Sequence, residues 1–323
     1  MPIVVAGHIT VSKDQYLESL GFAFWVFEAE EIGLRDLYKG SKRAFGEFVE
    51  HVVRGKIAEL AFKNFVKQEH KAELLTEVEL PVFLEGDYLP DVVAFRQGDA
   101  SWIIPTFWVD VKAEQEGHKW MLIRASSLSE AKTKRRTARL YDAYVNVLVK
   151  LPPDHLARLL KNVPDIGSRM SREMLNLLAD VPHVEADILG YALLSDIEDI
   201  LKAKNGDRAA KARLNSAFGE RNWAFFPKGG KAYDPETGKG GAEMQTDNCA
   251  VALSALRSDW TRFLSLLGSE GLASKMRLPE QRSFKEQMTR ALEKYAKTES
   301  SSWFGRPLPP KYMTISRWLD QEV

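Results

Sequence analysis

Cysteine is almost missing from this chain: among 323 residues Cys249 is the only one. A disulfide framework and a thiolate-held zinc are thereby excluded, and the usage suits a reducing compartment, so a cytoplasmic protein is expected. Net charge is missing as well, with 45 Lys and Arg against 45 Asp and Glu. Any affinity for a polyanion must therefore come from local clusters rather than bulk charge. No apolar run approaches the roughly 18 residues of a membrane span, and the N-terminus lacks a signal-peptide pattern, so no membrane partner is expected. The six histidines are scattered without ligand spacing, and HExxH, paired CxxC, GxSxG and EF-hand patterns do not occur. Internal repeats are absent too.

What remains is an ordinary globular composition, 45% hydrophobic and 28% charged, long enough for one large domain or two packed ones. From Ala44 to Val66 the apolar residues Phe45, Phe48, Val49, Val52 and Leu60 recur at helical spacing. On a wheel of about 100° per residue Glu59 falls about 20° from both Phe48 and Val52, on the inward face. An acid there needs a partner: Lys56 or Lys63 in the simplest reading, with Gly55 one turn earlier leaving room above the carboxylate. Ala72 to Phe83 is a strand candidate.

Tyr88 to Glu114 reads as a β-hairpin. Val92 to Phe95 form a first strand, Gln97, Gly98 and Asp99 a turn, and Trp102 to Val111 a longer second strand rich in β-branched and aromatic residues. Alternation puts Trp108, Asp110 and Lys112 on one face and Phe107, Val109, Val111 and Ala113 on the other. Burying a carboxylate and an ammonium together is costly without partners, which a divalent cation and an anionic substrate would supply.

Beyond this stretch the chain turns basic. Gly117 to Arg139 holds seven basic residues against one acid, Glu130. Lys119, Arg124, Lys132, Lys134, Arg135 and Arg136 are read as phosphate contacts, with a solvated face as the plainer alternative. His118 stands close enough to Lys112 to be a proton carrier, but beside basic residues it is read as a surface or backbone contact. Leu128 to Tyr141 reads as a helix and Tyr144 to Leu151 as a strand closed by Pro152-Pro153. VEADILGYALL reads as a further strand, followed by a helix from Ser195 to Lys204. Pro227 to Glu243 reads as a linker or mobile loop; a phosphate-loop reading fails because Gly240, not Ser or Thr, follows Lys239. Cys249 to Leu267 and Pro279 to Lys297 read as amphipathic helices. Ala273 to Val323 carries ten basic and six acidic residues, compatible with DNA contact or a protomer interface.

The succession Pro90-Asp91, a turn, then Asp110-Val111-Lys112 resembles the motif of the PD-(D/E)XK nuclease superfamily, which includes type II restriction endonucleases. The resemblance implies an α/β (α+β) restriction-endonuclease-like αβββαβ core, with a mixed central sheet flanked by helices. That core is expected over residues 42–228, between an N-terminal extension, 1–41, and a mainly helical C-terminal region, 229–323, for DNA recognition or dimerisation. It implies a Mg²⁺-dependent endonuclease on double-stranded DNA, a homodimer of restriction–modification type, with Mn²⁺ able to substitute. Asp91 and Asp110 would ligate the metal, the Val111 carbonyl would complete the shell, and Glu59 would add a ligand or orient a bound water. Lys112 would position or help deprotonate the attacking water and stabilise the phosphate. The alternatives are a repair or recombination nuclease of the same superfamily and a non-catalytic nucleic-acid-binding protein.

Overall fold

The computed structural model describes residues 3–29, 45–76, 90–128, 141–152, 154–156 and 183–269, together with 271, 286, 289 and 292. Its chain is mixed α/β. Strands β1 (Gly7–Val11), β7 (Val184–Leu193), β6 (Ala143–Lys150) and β4 (Val109–Glu114) form a central sheet in that order. The sheet is mixed. β4 runs parallel to β6, whereas the Leu194 N–H at the end of β7 donates to the Asp142 carbonyl at the start of β6 (2.8 Å), so those two strands run antiparallel. The chain divides into two compact units, one made of Met1–His8, Pro105–Leu148 and Asp187–Met276, the other of Ile9–Ile104, Val149–Ala186 and Arg277–Val323.

In the second unit, helix α1 (Lys13–Ala29) packs on α2 (Phe45–His70), and α2 on β2 (Ala72–Thr76). A reciprocal cap starts α1: the Gln15 N–H donates to Ser12 Oγ (3.2 Å) and the Ser12 N–H to Gln15 Oε1 (3.1 Å). The apolar run that follows buries Phe22, Phe24, Trp25 and Val26. Helix α2 is apolar over most of its circumference, burying Val49, Val52, Val53, Ile57, Ala58, Ala61, Phe62, Phe65 and Val66, as a helix enclosed by its neighbours must be. Strand β2 pairs antiparallel with β3 (Val92–Gln97), and Glu73 meets Arg96 across that pair.

The expected long hairpin is not what forms. After the turn at Gly98 (φ +56°), the returning chain bonds Phe95 at Ile103 alone, through reciprocal bonds of 2.9 and 2.8 Å. Pro105 follows two residues later, and with no N–H to offer it ends the ladder. The chain bends at Thr106 and Phe107, and Val109–Glu114 joins a different sheet beside β6. Gly271 is required at that bend: a Cβ there would lie 2.3 Å from the Phe107 Cα and the Thr106 carbonyl oxygen.

The first unit also holds a three-stranded antiparallel sheet in the order β5 (Trp120–Arg124), β11 (Asn248–Ala252), β8 (Trp223–Phe226). Strand β5 was not expected, and it stands between β4 and β6 in the chain where an αβββαβ order has none. Strands β8 and β11, on either side of position 228, are neighbours in this sheet. The expected helix over Cys249 to Leu267 is instead β11, a 3-10 turn (Leu253–Ala255) and a shorter helix (Trp260–Leu267). All five residues of β11 are buried, and a strand covered on both faces reads as a continuous apolar run. The expected mobile loop, Pro227 to Glu243, contains a hairpin of β9 (Lys231–Tyr233) and β10 (Gly240–Glu243). It is anchored where Trp120 Nε1–H donates to the Tyr233 carbonyl (2.5 Å).

Helix α3 (Leu194–Lys204) packs on α4 (Arg208–Phe218), and the Trp260–Leu267 helix is α5. Asp207 caps α4 and Asp259 caps α5. Gly190 (φ +152°) allows the β7 backbone to meet Arg257, where a Cβ would come within 2.6 Å of the Arg257 carbonyl oxygen. The expected helices over Leu128 to Tyr141 and Pro279 to Lys297 fall largely outside the described residues.

Candidate active site

Strand β4 carries the acid and the base of the motif on one face. Asp110 and Lys112 are two residues apart, so alternation points both the same way, and the Lys112 ammonium lies 2.5 Å from Asp110 Oδ2. The contact is an ion pair rather than an aligned hydrogen bond. The Asp110 side chain is 11% exposed and that of Lys112 40%, so the carboxylate is recessed while the ammonium reaches solvent. Two residues on, Glu114 is buried on the same face, and its Oε2 lies 2.8 Å from Nδ1 of the more exposed His118.

The parallel register adds two residues that the motif did not single out. Asp110 stands opposite Tyr144, and Lys112 opposite Asn146, so all four side chains share a face. Asn146 is fully buried, and neither its Oδ1 nor its Nδ2 has a hydrogen-bond partner. The Tyr144 hydroxyl is also buried without a completed bond, although the Tyr141 main chain approaches it. Burial, reinforced by the Asp110 charge, holds that hydroxyl protonated well above its usual range. Each such group costs about 1–3 kcal/mol when left unsatisfied, so two of them side by side call for an explanation. The sequence did carry a signal. In YVNVLVKL, Tyr and Asn alternate with valines on a strand whose opposite face is wholly apolar.

Glu59 sits on α2 in the second unit, buried as its wheel position required, and its Oε1 lies 2.6 Å from Lys56 Nζ. Lys56 is itself buried and stands 5.0 Å from the Phe22 ring centre. That is the partner the simplest reading named. A Cβ at Gly55 would meet nothing within 4 Å, in keeping with the room expected there. Asp91 is half-buried in the bend before β3, also in the second unit, and Val111 is buried on β4. Lys119 and Arg124 are exposed at the two ends of β5, whereas Lys132, Lys134, Arg135 and Arg136 lie outside the described residues.

Among the described residues no three His, Cys, Asp or Glu side chains are grouped so as to hold a metal ion. A closed cage of protein ligands is therefore not present among them. Mg²⁺, however, keeps several waters and takes one or two carboxylates. The recessed Asp110 carboxylate, with orphaned polar groups beside it, fits a largely hydrated cation of that kind. No described helix is long and apolar enough to cross a membrane. Comparison with known proteins gives no match to any family model, any curated protein or any solved structure.

Proposed function

We propose that this chain is a Mg²⁺-dependent endonuclease that hydrolyses phosphodiester bonds in double-stranded DNA, of the PD-(D/E)XK type and working as a homodimeric restriction enzyme. One observation carries the reading: Asp110 and Lys112 share a face of β4 as a recessed carboxylate and a half-exposed ammonium, beside buried polar groups without partners. Asp91, Glu59 and the Val111 carbonyl enter only through the resemblance, as do the basic residues from Lys119 to Arg136 and the dimer.

The Asp110 carboxylate would hold the cation, which when bound lowers the pKa of its water and offsets charge on the phosphate. Lys112 supplies a positive charge that moves from Asp110 to the reacting phosphate, where negative charge accumulates. Incubating the full chain with plasmid DNA and Mg²⁺ tests this directly: discrete fragments are expected, and Asp110→Asn and Lys112→Ala should each lower the cleavage rate at least about 100-fold while DNA binding persists. Near-normal cutting by either variant would remove that residue from the mechanism.

A second reading has its own observation. Lys112 closes on Asp110 and Lys56 on Glu59, so both acids have an internal cation, as in a fold that binds nucleic acid without cutting it. Binding of plasmid without any Mg²⁺- or Mn²⁺-dependent cleavage would favour it.

A further inference from the structure

The Lys112 ammonium lies against Asp110 Oδ2, so a cation binding that oxygen must displace it. An ammonium has three donors and no acceptor, and a displaced one needs a new acceptor close by. The register provides one. Asn146 is directly opposite Lys112 on the neighbouring strand, about 4.8 Å away in the hydrogen-bonding direction and within reach of a flexible four-carbon stem. Its Oδ1 is buried and has no partner.

We propose that Asn146 is the positioning residue that receives the Lys112 ammonium when a divalent cation replaces it on Asp110. This rests on the reading of Asp110 as a cation-binding carboxylate. In the present structure the ammonium sits on Asp110 and the Asn146 amide waits without a bond; with the cation bound, Lys112 turns sideways across the strand pair and donates to Asn146 Oδ1. The lysine thereby stays on the face where a phosphate would lie, and it is held there at a fixed point. The arrangement also accounts for an amide kept in an otherwise apolar stretch of β6, with Val145, Val147 and Val149 covered on the opposite face.

The test is a calorimetric titration of the full chain with Mg²⁺ in the absence of DNA, for the natural protein and for Asp110→Asn, Asn146→Leu and Asn146→Asp, with crystal structures in Ca²⁺. Asp110→Asn should abolish binding. Asn146→Leu, which keeps the volume but removes the acceptor, should weaken it by about 10-fold, the loss typical of a residue that orients a metal site from outside its ligands. Asn146→Asp retains an acceptor and should bind at least as tightly as the natural protein. In Ca²⁺ the Lys112 Nζ should stand within hydrogen-bond distance of Asn146 Oδ1. If the natural protein binds no cation, or Asp110→Asn binds as well as it does, the reading of Asp110 fails and this inference with it. If binding needs Asp110 but Asn146→Leu binds within 2-fold of the natural protein, or Lys112 remains away from Asn146 in Ca²⁺, the inference alone is overturned.

Discussion

Two acid–base pairs of nearly the same length stand in very different surroundings. On α2, Lys56 and Glu59 meet at 2.6 Å with side chains 7% and 4% exposed; on β4, Lys112 and Asp110 meet at 2.5 Å with side chains 40% and 11% exposed. The helical pair is sealed among the apolar residues of the second unit, with Phe22 against the ammonium. The strand pair has an ammonium half in water and polar neighbours that lack partners. Sealing makes an ion pair part of the fold, because each charge depends on the other for its hydration substitute. Leaving one end open makes a pair that can be exchanged, which is what binding a cation or an anion requires.

Breaking the sealed pair should have the largest effect. Lys56→Met removes the cation from beside a buried carboxylate and should cost about 3–5 kcal/mol, whereas the double variant Lys56→Met/Glu59→Leu should recover most of that loss. Urea unfolding of both variants checks it; equal losses in the two would show that the pair is not a coupled unit. Lys112→Met, by contrast, should cost less than Lys56→Met, since the Lys112 side chain is 40% exposed and water can take the place of its ammonium beside Asp110.

Acid should next act on the second unit. His155 is buried with its Nδ1 2.8 Å from the Tyr16 hydroxyl, and burial, with Arg54 nearby, lowers its pKa to about 4 from an ordinary value of 6.5. The unfolded chain therefore takes up a proton below pH 6.5 that the folded chain refuses until pH falls to about 4. Stability is full above that window and is lost as pH falls through it, by up to about 3 kcal/mol. Urea unfolding at pH 7 and pH 4.5 should show the fall, and His155→Gln should flatten it.

Gly271→Ala acts on the strand pair from a distance, since it disturbs the bend that delivers β4 to its sheet. A methyl group there meets the Thr106 and Phe107 main chain, and a loss of about 2 kcal/mol is expected from the overpacking, read as a lower melting temperature together with weaker Mg²⁺ binding. The smallest effect has the opposite sign. Asn146→Leu removes unsatisfied buried polar atoms and should gain about 1 kcal/mol, so a variant that melts higher yet holds Mg²⁺ less well would mark Asn146 as kept for function. A lower melting point would mark it as structural.

Whatever depends on local repetition is legible in the chain alone. A period of 3.6 identified α2 and turned Glu59 inward; a period of two put Asp110 and Lys112 on one face and identified β6 and β7. Those results hold because side-chain direction follows from the covalent geometry of each segment, whatever it later packs against. Pro105 was legible too as a break in the strand after Ile103, but the β-branched run around it reads so strongly as one strand that the bend is easily missed. Which strands become neighbours emerges with the fold: β3 with β2, β4 with β6, and β11 between β5 and β8. Pairing is settled by burial and loop closure across long separations, and periodicity carries no record of either. That is why the acid and base of β4 could be named from the chain, while the placing of Asn146 opposite Lys112, 34 residues further along, could not.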